Sequence, residues 1–379
     1  MTKIVWGTTM MHAEISPCGW TKTIGRVAAV TAALTLGAST SALAQETASM
    51  GPGADITTMC GTKPTIVALA DGFGGNTWRK TTLAELKDEA SKCPNVTQVL
   101  YADAAGDPAK ANSDINSLVA QGVNVLIVYA DFGEATMPAI RDAYEAGVTV
   151  IPYNPKLPGE DGVDYAANVY QDLNANAKKW AGWLGENIKK GNILYFSGIA
   201  GNSFSTSFME NLKKELEPYP DIKLLEDQFV VTNWSTADAQ KATAGVIAKY
   251  GTIDAFVTDF GPVALGIIRG FQQAGLKVPA NAALAGNNEV NCLWLDEKAK
   301  GAAWPYFTLE GTTTLVRNAL RRGMAIYQGT ENSEPLGLSA YVFADSFAGL
   351  DPKCDASAPL DADLSGLLSS EQLKAVFNQ

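Results

Sequence analysis

The feature that most limits what this chain can fold into is a rhythm. Short, nearly uninterrupted apolar runs recur along it, each followed by a stretch with helical spacing. The clearest runs are 65–70 (TIVALA), 123–129 (VNVLIVY) and 148–153 (VTVIPY). Runs of this kind belong to strands buried on both faces, which means a parallel sheet covered by helices on each side. Helical spacing over 78–91, 109–121 and 134–146 fills the intervals, with a further strand over 97–101. After Gly162 the rhythm starts again. Strands are expected over 165–169, 192–197, 222–229, 255–259 and 282–285, and helices over 174–189, 207–217, 237–250 and 263–274. Trp180 and Trp183 sit at helical spacing and read as core. Two such series predict an α/β protein made of two doubly wound parallel-sheet lobes joined by hinge crossings.

The expected organisation follows. Residues 60–166 with 307–337 make the first lobe, and 167–306 with 338–350 the second. The Pro- and Gly-rich stretch 155–162 is the expected first crossing, and a long helix over 308–328 the expected return to the first lobe. Residues 46–54 and the tail 351–379 read as loosely packed ends.

Before these elements stands an address. Lys22 and Arg26 supply positive charge, 27–36 is a short apolar run, and Ser41, Ala42, Leu43 and Ala44 offer small residues at a cleavage site. This is the order of a secretory signal, residues 1–44, cut after Ala44. The run is too short for a bilayer, so the expected location is periplasmic or secreted. Beyond the signal four cysteines remain: Cys60, Cys93, Cys292 and Cys354. In an exported chain they favour two disulfides among three connectivities, with Cys60–Cys93 and Cys292–Cys354 as the expected pairs.

Composition removes several function classes. With 29 basic against 40 acidic residues the net charge is −11, which argues against nucleic acid and anionic membranes as partners. The single histidine, His12, lies in the expected signal. His-dependent triads and His-ligated metals are therefore not expected, and no phosphate loop, dinucleotide fingerprint or nucleophile elbow occurs. No cofactor and no metal is expected. Asp361, Asp363 and Ser365 resemble the start of a calcium loop, but Gln372 stands where such a loop wants Glu. A solvated turn is the preferred reading, with calcium as the alternative.

In open α/β sheets ligands bind outside the carboxyl ends of the strands. The residues there include Asp71, Gly72, Phe73, Asp131, Phe132, Tyr153, Asn154, Ser197, Gly198, Asp259, Phe260, Asn287, Asn288 and Glu289. Two lobes facing each other with such loops would form a cleft rich in carboxylates, amides and aromatics.

Several blocks, in order, resemble the sugar-type periplasmic binding proteins of ABC transporters, the ribose- and galactose-binding (type I) kind. They are Asn76 to Arg79 (NTWR), Asp107 to Lys110 (DPAK) running into 114–124, 143–152 (AYEAGVTVIP), 191–198 (GNILYFSG), and Ala264 to Gly266 with Gln273 to Gly275. The resemblance spans most of 63–347. It implies a monomer that takes a sugar or polyol between its lobes and delivers it to a membrane permease, with no catalysis. Carried over position by position, it places ligand contacts at Phe73, Asn76, Trp78, Arg79, Asp131, Asn168, Trp234, Asp259, Asn287, Asn288 and Tyr306. One departure stands out. Many members carry a sugar-contacting arginine on the helix after Gly198, and this chain has Ser203, Phe204, Ser205, Thr206, Ser207 and Phe208 there.

The residue chemistry agrees with such a site. Trp78 and Trp234 can cover the apolar face of a sugar ring. Asp and Asn can bind its polar rim, and Arg79 carries a five-donor fork. Because of Arg79, an acidic sugar is second choice after a neutral one. Two alternatives remain at this level: a ligand sensor for a chemoreceptor or membrane kinase, and an exported carbohydrate hydrolase using Asp131 and Asp259.

Overall fold

The computed structural model describes residues 48–378. The expected signal and its cleavage site lie outside the described residues. The first series runs β1 (Thr65–Asp71), α1 (Thr77–Ala90), β2 (Val96–Asp103), α2 (Pro108–Ala120), β3 (Val125–Tyr129), α3 (Met137–Glu145), β4 (Thr149–Asn154) and β5 (Val169–Gln171). The second runs α4 (Leu173–Trp183), β6 (Gly191–Ser197), α5 (Ser203–Leu216), β7 (Ile222–Leu224), β8 (Val230–Val231), α6 (Thr236–Tyr250), β9 (Ala255–Thr258), α7 (Gly261–Gln273), β10 (Ala280–Leu284), α8 (Asn288–Ala299) and β11 (Tyr306–Leu309). The chain ends with α9 (Leu315–Gln328), β12 (Gly337–Leu338), β13 (Val342–Asp345) and α10 (Ser370–Phe377).

The strands form two sheets, as the rhythm predicts. One is parallel throughout, in the order β12-β5-β4-β3-β1-β2. The other has the order β13-β11-β10-β9-β6-β7, with β8 also paired to β6 and β13 antiparallel to β11. Side chains alternate across each sheet and feed two cores. Val67, Leu69, Val125 and Ile127 enter one core of the first lobe, and Ala68, Ala70, Leu126 and Val128 the other. Ile193 and Tyr195 against Leu194 and Phe196 do the same in the second lobe. Burial on both faces is why these strands read as continuous apolar runs. Trp180 and Trp183 are core residues of the second lobe.

The crossings differ from expectation. β5 pairs with β4 through Tyr153–Val169 and Asn154–Tyr170, so the chain stays in the first sheet until Gln171. It crosses at Asp172, whose side chain caps α4. The stretch 155–162, expected as the crossing, is a first-lobe loop. Asn168 holds it, accepting from Leu157 N–H and donating to the carbonyls of Pro152 and Pro155. The second crossing is 310–314, because 306–309 is strand β11 of the second sheet and not the start of a helix. A third lies at 339–341, between β12 and β13. Strands of two or three residues carry too little pattern to be read from sequence.

The returning helix α9 lies on β3 and β4. Its Arg317 and Arg321 reach Glu85 and Glu89 of α1, with Arg317 Nη1 and Arg321 Nη1 each 2.8 Å from Glu89. Both expected disulfides are present, Cys60–Cys93 and Cys292–Cys354.

The ends are not loose. Met50 is buried and its N–H donates to the Ser339 carbonyl. The tail runs from the second lobe to the first. Cys354 and backbone bonds from Asn288 and Glu289 to Ala362 and Leu360 hold it to α8. Ser365 Oγ accepts from Gly311 N–H at the second crossing, and α10 packs on α1. Asp363 there accepts from Ser365, and Asp361 accepts from Asn287. Among the described residues no cluster of three or more His, Cys, Asp or Glu is placed to hold a metal ion.

Candidate functional site

A cavity with about 430 Å³ of empty space, partly open to solvent, lies between the lobes at the carboxyl ends of both sheets. Its first-lobe wall starts from a helix cap. The Asn76 side chain accepts from Arg79 N–H and begins α1, which sets Trp78 and Arg79 on the first turn. Trp78 turns its edge to Tyr129 and donates from Nε1 to the Gly311 carbonyl at 2.6 Å. The Arg79 guanidinium lies 3.5 Å over the Tyr129 ring. Its Nη1 donates to Asp71 Oδ1 at 2.6 Å and its Nη2 to Asp131 Oδ1 at 2.7 Å. All three charged groups are buried. Gly72 permits this closeness, because a Cβ there would stand 2.5 Å from Asp131 Oδ2.

Burial pushes the Asp131 carboxyl up to about 7, against the pull of Arg79, and it also raises Asp71. For Arg79 burial works against the charge, but Asp131 and Asp71 outweigh it and the guanidinium is held more firmly protonated than usual. Such a triad is a buried ion cluster with one more acid than base.

The second-lobe wall centres on Asp259, just after β9. Its Oδ2 accepts from Tyr195 OH at 3.0 Å and from Ser197 Oγ, and its Oδ1 accepts from Trp234 Nε1 at 3.2 Å. Burial raises this carboxyl to about 6, with those three donors pulling the other way. Trp234 follows Asn233, and both adopt left-handed backbone, φ +50° and +53°. That conformation is costly for ordinary residues and persists where the surroundings impose it. Here Thr232 is pinned to the Ser197 carbonyl, and the indole lies over Gly198, where a Cβ would stand 2.3 Å from the ring.

Of the residues expected from sequence, Asn76, Trp78, Arg79, Trp234 and Asp259 line this cavity. Asp131 stands behind Arg79. Phe73 does not line it; its ring packs on Phe132 at 5.5 Å. Asn168 is spent on the first-lobe loop. Asn287 caps α8 and donates to Asp361, while Asn288 holds the tail through the carbonyls of Asp355 and Pro359. Tyr306 stacks on Trp294 and donates to Asn291. The tail, unseen as packed from sequence, is what consumes Asn287 and Asn288.

The cavity also takes Tyr129, Asn154, Phe204, Phe260, Leu284 and Thr312. Asn154 is buried at φ +72° with its Oδ1 unpartnered, which leaves an acceptor on the wall. Phe204 comes from the helix where an arginine was missing. The strand-end rule names Asn154 and Phe260, and Tyr129 is the last residue of β3, one step before the residues it picks out. Thr312 follows β11, a strand not recognised in the sequence. A larger hollow, open to solvent, adjoins, lined by Glu134, Lys156, Tyr170 and Gln171 among others. It shares Phe204 with the inner cavity but holds none of the expected binding residues. The inner one is the better site because aromatics and charged groups from both lobes converge there.

Two parallel-sheet lobes, three crossings and a polar-aromatic cavity between them define the type I periplasmic binding protein fold. Residues 67–313 match the family described as periplasmic binding protein domain, and the chain belongs to that family. Among curated proteins it is similar to a xylitol-binding protein of Mycolicibacterium smegmatis, 27% identical over 190 residues, 50% of this chain and 53% of the relative. It is 25% identical over 183 residues to the D-xylose-binding periplasmic protein of Escherichia coli, 47% of this chain and 54% of that one. The chain thus spans about half the length of these curated relatives. The binding protein component of the arabinose ABC transporter from Shewanella sp. ANA-3 superposes with a TM-score of 0.63 at 17% identity, covering 73% of this chain and 92% of that one. A 5-methylthioribose transporter solute binding protein from Thermotoga lettingae gives 0.64 at 19%, covering 84% and 98%. At such identities the two structures bear on the fold.

Proposed function

We propose that this protein works outside the cytoplasm, captures a small neutral sugar or polyol between its lobes, and delivers it unchanged to an ABC permease. The observation that carries the reading is one cavity walled by aromatics of both lobes, Trp78 and Tyr129 against Phe204, Trp234 and Phe260, with Arg79 from one lobe and the buried Asp259 from the other. Indole and phenyl faces suit the apolar side of a sugar ring, and fixed carboxylates and amides suit its hydroxyls. Two disulfides fit an oxidising compartment. Against hydrolysis stands the way the two acids are held: Asp131 does not line the cavity and is paired to Arg79, and Asp259 is fixed by three donors, which leaves it able to accept a hydroxyl but poorly placed to act with a second carboxyl.

The lobes are expected to rotate about the three crossings and close on ligand, since only the closed form lets both walls touch it. Thermal-shift screening of sugars, polyols and sugar acids, followed by calorimetry on the hits, tests ligand class. A ligand bound only by the folded state raises the melting temperature. Small-angle scattering with the best hit tests closure: compaction supports the reading, and an unchanged radius of gyration counts against it.

A further inference from the structure

We infer that Asp71 sets the charge preference of the cleft: by engaging the Arg79 guanidinium from behind, it makes the site select uncharged sugars or polyols over their carboxylate counterparts. This rests on the sugar reading above and narrows it.

Among the described residues that line the cavity Arg79 is the only cation. Alone, its planar fork would suit a ligand carboxylate, because two parallel N–H bonds match the two oxygens. In this structure each terminal nitrogen already donates to a protein carboxylate, Nη1 to Asp71 and Nη2 to Asp131. With both acids ionised the triad carries one net negative charge, and with either protonated it carries none. In neither state is there a positive charge left over for an anion. Asp259 faces the same cavity from the other lobe and adds a further acid.

A ligand carboxylate would therefore enter a space whose fixed charge is neutral to negative. One uncompensated unit charge about 6 Å away, at an effective dielectric of about 20, changes affinity about a hundredfold. A hydroxyl asks for something else. The guanidinium has five N–H bonds, of which the two acids take two, so donors remain for ligand oxygens. Asp259 and the unpartnered Asn154 Oδ1 can accept from hydroxyl protons. Asp71 itself does not line the cavity. It bonds Arg79, the Phe73 N–H and, at 3.5 Å, Tyr101 OH. It acts through Arg79 and is a positioning residue.

The test uses matched pairs that differ only by a carboxylate: xylose and xylonate, galactose and galacturonate, glucose and glucuronate. Titration calorimetry reads the neutral-to-acid affinity ratio for each pair whose neutral member binds. The wild type is expected to bind the acid at least about tenfold more weakly. Measured at alkaline pH, where both acids are ionised and the substitution takes the triad from one net negative charge to none, Asp71→Asn, which keeps the side-chain shape, is expected to shrink that ratio by about tenfold or more, and Asp71→Glu to restore it. An acid bound by the wild type as tightly as its neutral partner overturns the inference, whether or not any variant folds. So does an Asp71→Asn protein that still binds the neutral member with an unchanged ratio. Failure of every neutral sugar and polyol to bind the wild type is a different result, and it overturns the sugar reading itself.

Discussion

The two walls of the cleft solve one problem in different ways. Each places a buried aspartate just beyond a strand end, Asp131 after β3 and Asp259 after β9. In the first lobe the acid is answered by a cation, and a second acid shares it. In the second lobe no cation is used; two hydroxyls and an indole N–H hold the carboxylate. The difference shows what each wall is for. An ion cluster is costly to break and rigid once made, so the first wall is a fixed floor. A carboxylate held by neutral donors keeps its charge available, so the second wall offers an acceptor suited to the hydroxylated ligand proposed above.

The sharpest way to break this comparison is Arg79→Ala. It would leave Asp71 and Asp131 buried without their cation, a loss of about 3–5 kcal/mol of stability. Chemical denaturation of the variant would show it, and a loss under about 1 kcal/mol would mean the cluster is not the floor described. Asp259→Asn probes the other wall. It keeps the shape and part of the hydrogen bonding, so stability should fall by about 1–3 kcal/mol and calorimetry should show a larger loss in ligand affinity than in stability. Trp234→Ala should spare the fold more than Arg79→Ala or Asp259→Asn and weaken ligand binding by about 1–2 kcal/mol, through lost ring contact. An affinity unchanged by that variant would remove Trp234 from the site.

The smallest effect is a pH slope. Asp259 is raised from its ordinary 3.8 to about 6 by burial. The folded state therefore holds its proton over a range where the unfolded chain has released it. Its contribution to stability is full below pH 3.8 and is lost as pH rises through about 6. Comparing the melting temperatures of wild type and Asp259→Asn from pH 4 to 7 isolates this group from other raised acids, such as Glu310 and Asp363. The wild type should lose more stability than the variant as pH rises; parallel curves would show that Asp259 is not held in this way.

Much of the architecture was legible from the chain. β1, β3 and β4 are readable because burial on both faces demands unbroken apolar runs. β5 and β12 are not, since each is two or three residues long and exists only through pairing with a remote partner. This is why the sequence pattern points to the 155–162 loop as the first crossing when the chain crosses at Asp172. The site shows the same split. Asn76, Trp78 and Arg79 lie within four positions and a single cap orients them, so position sufficed to bring them to the cavity. Asn168, Asn287, Asn288 and Tyr306 were plausible by position, yet their hydrogen bonds go to a loop, to the tail and to Asn291. Nothing local announces such partners.

By itself the sequence determined the two parallel-sheet lobes and the placing of polar residues at strand ends, because strand burial and helix spacing are written in neighbouring residues. The tertiary structure alone decided that Arg79 is neutralised, since its two acids lie 8 and 52 positions away in the chain. It alone decided, too, that the tail is packed. Charge balance inside a protein depends on which side chains are brought within a few ångströms, and folding sets that distance.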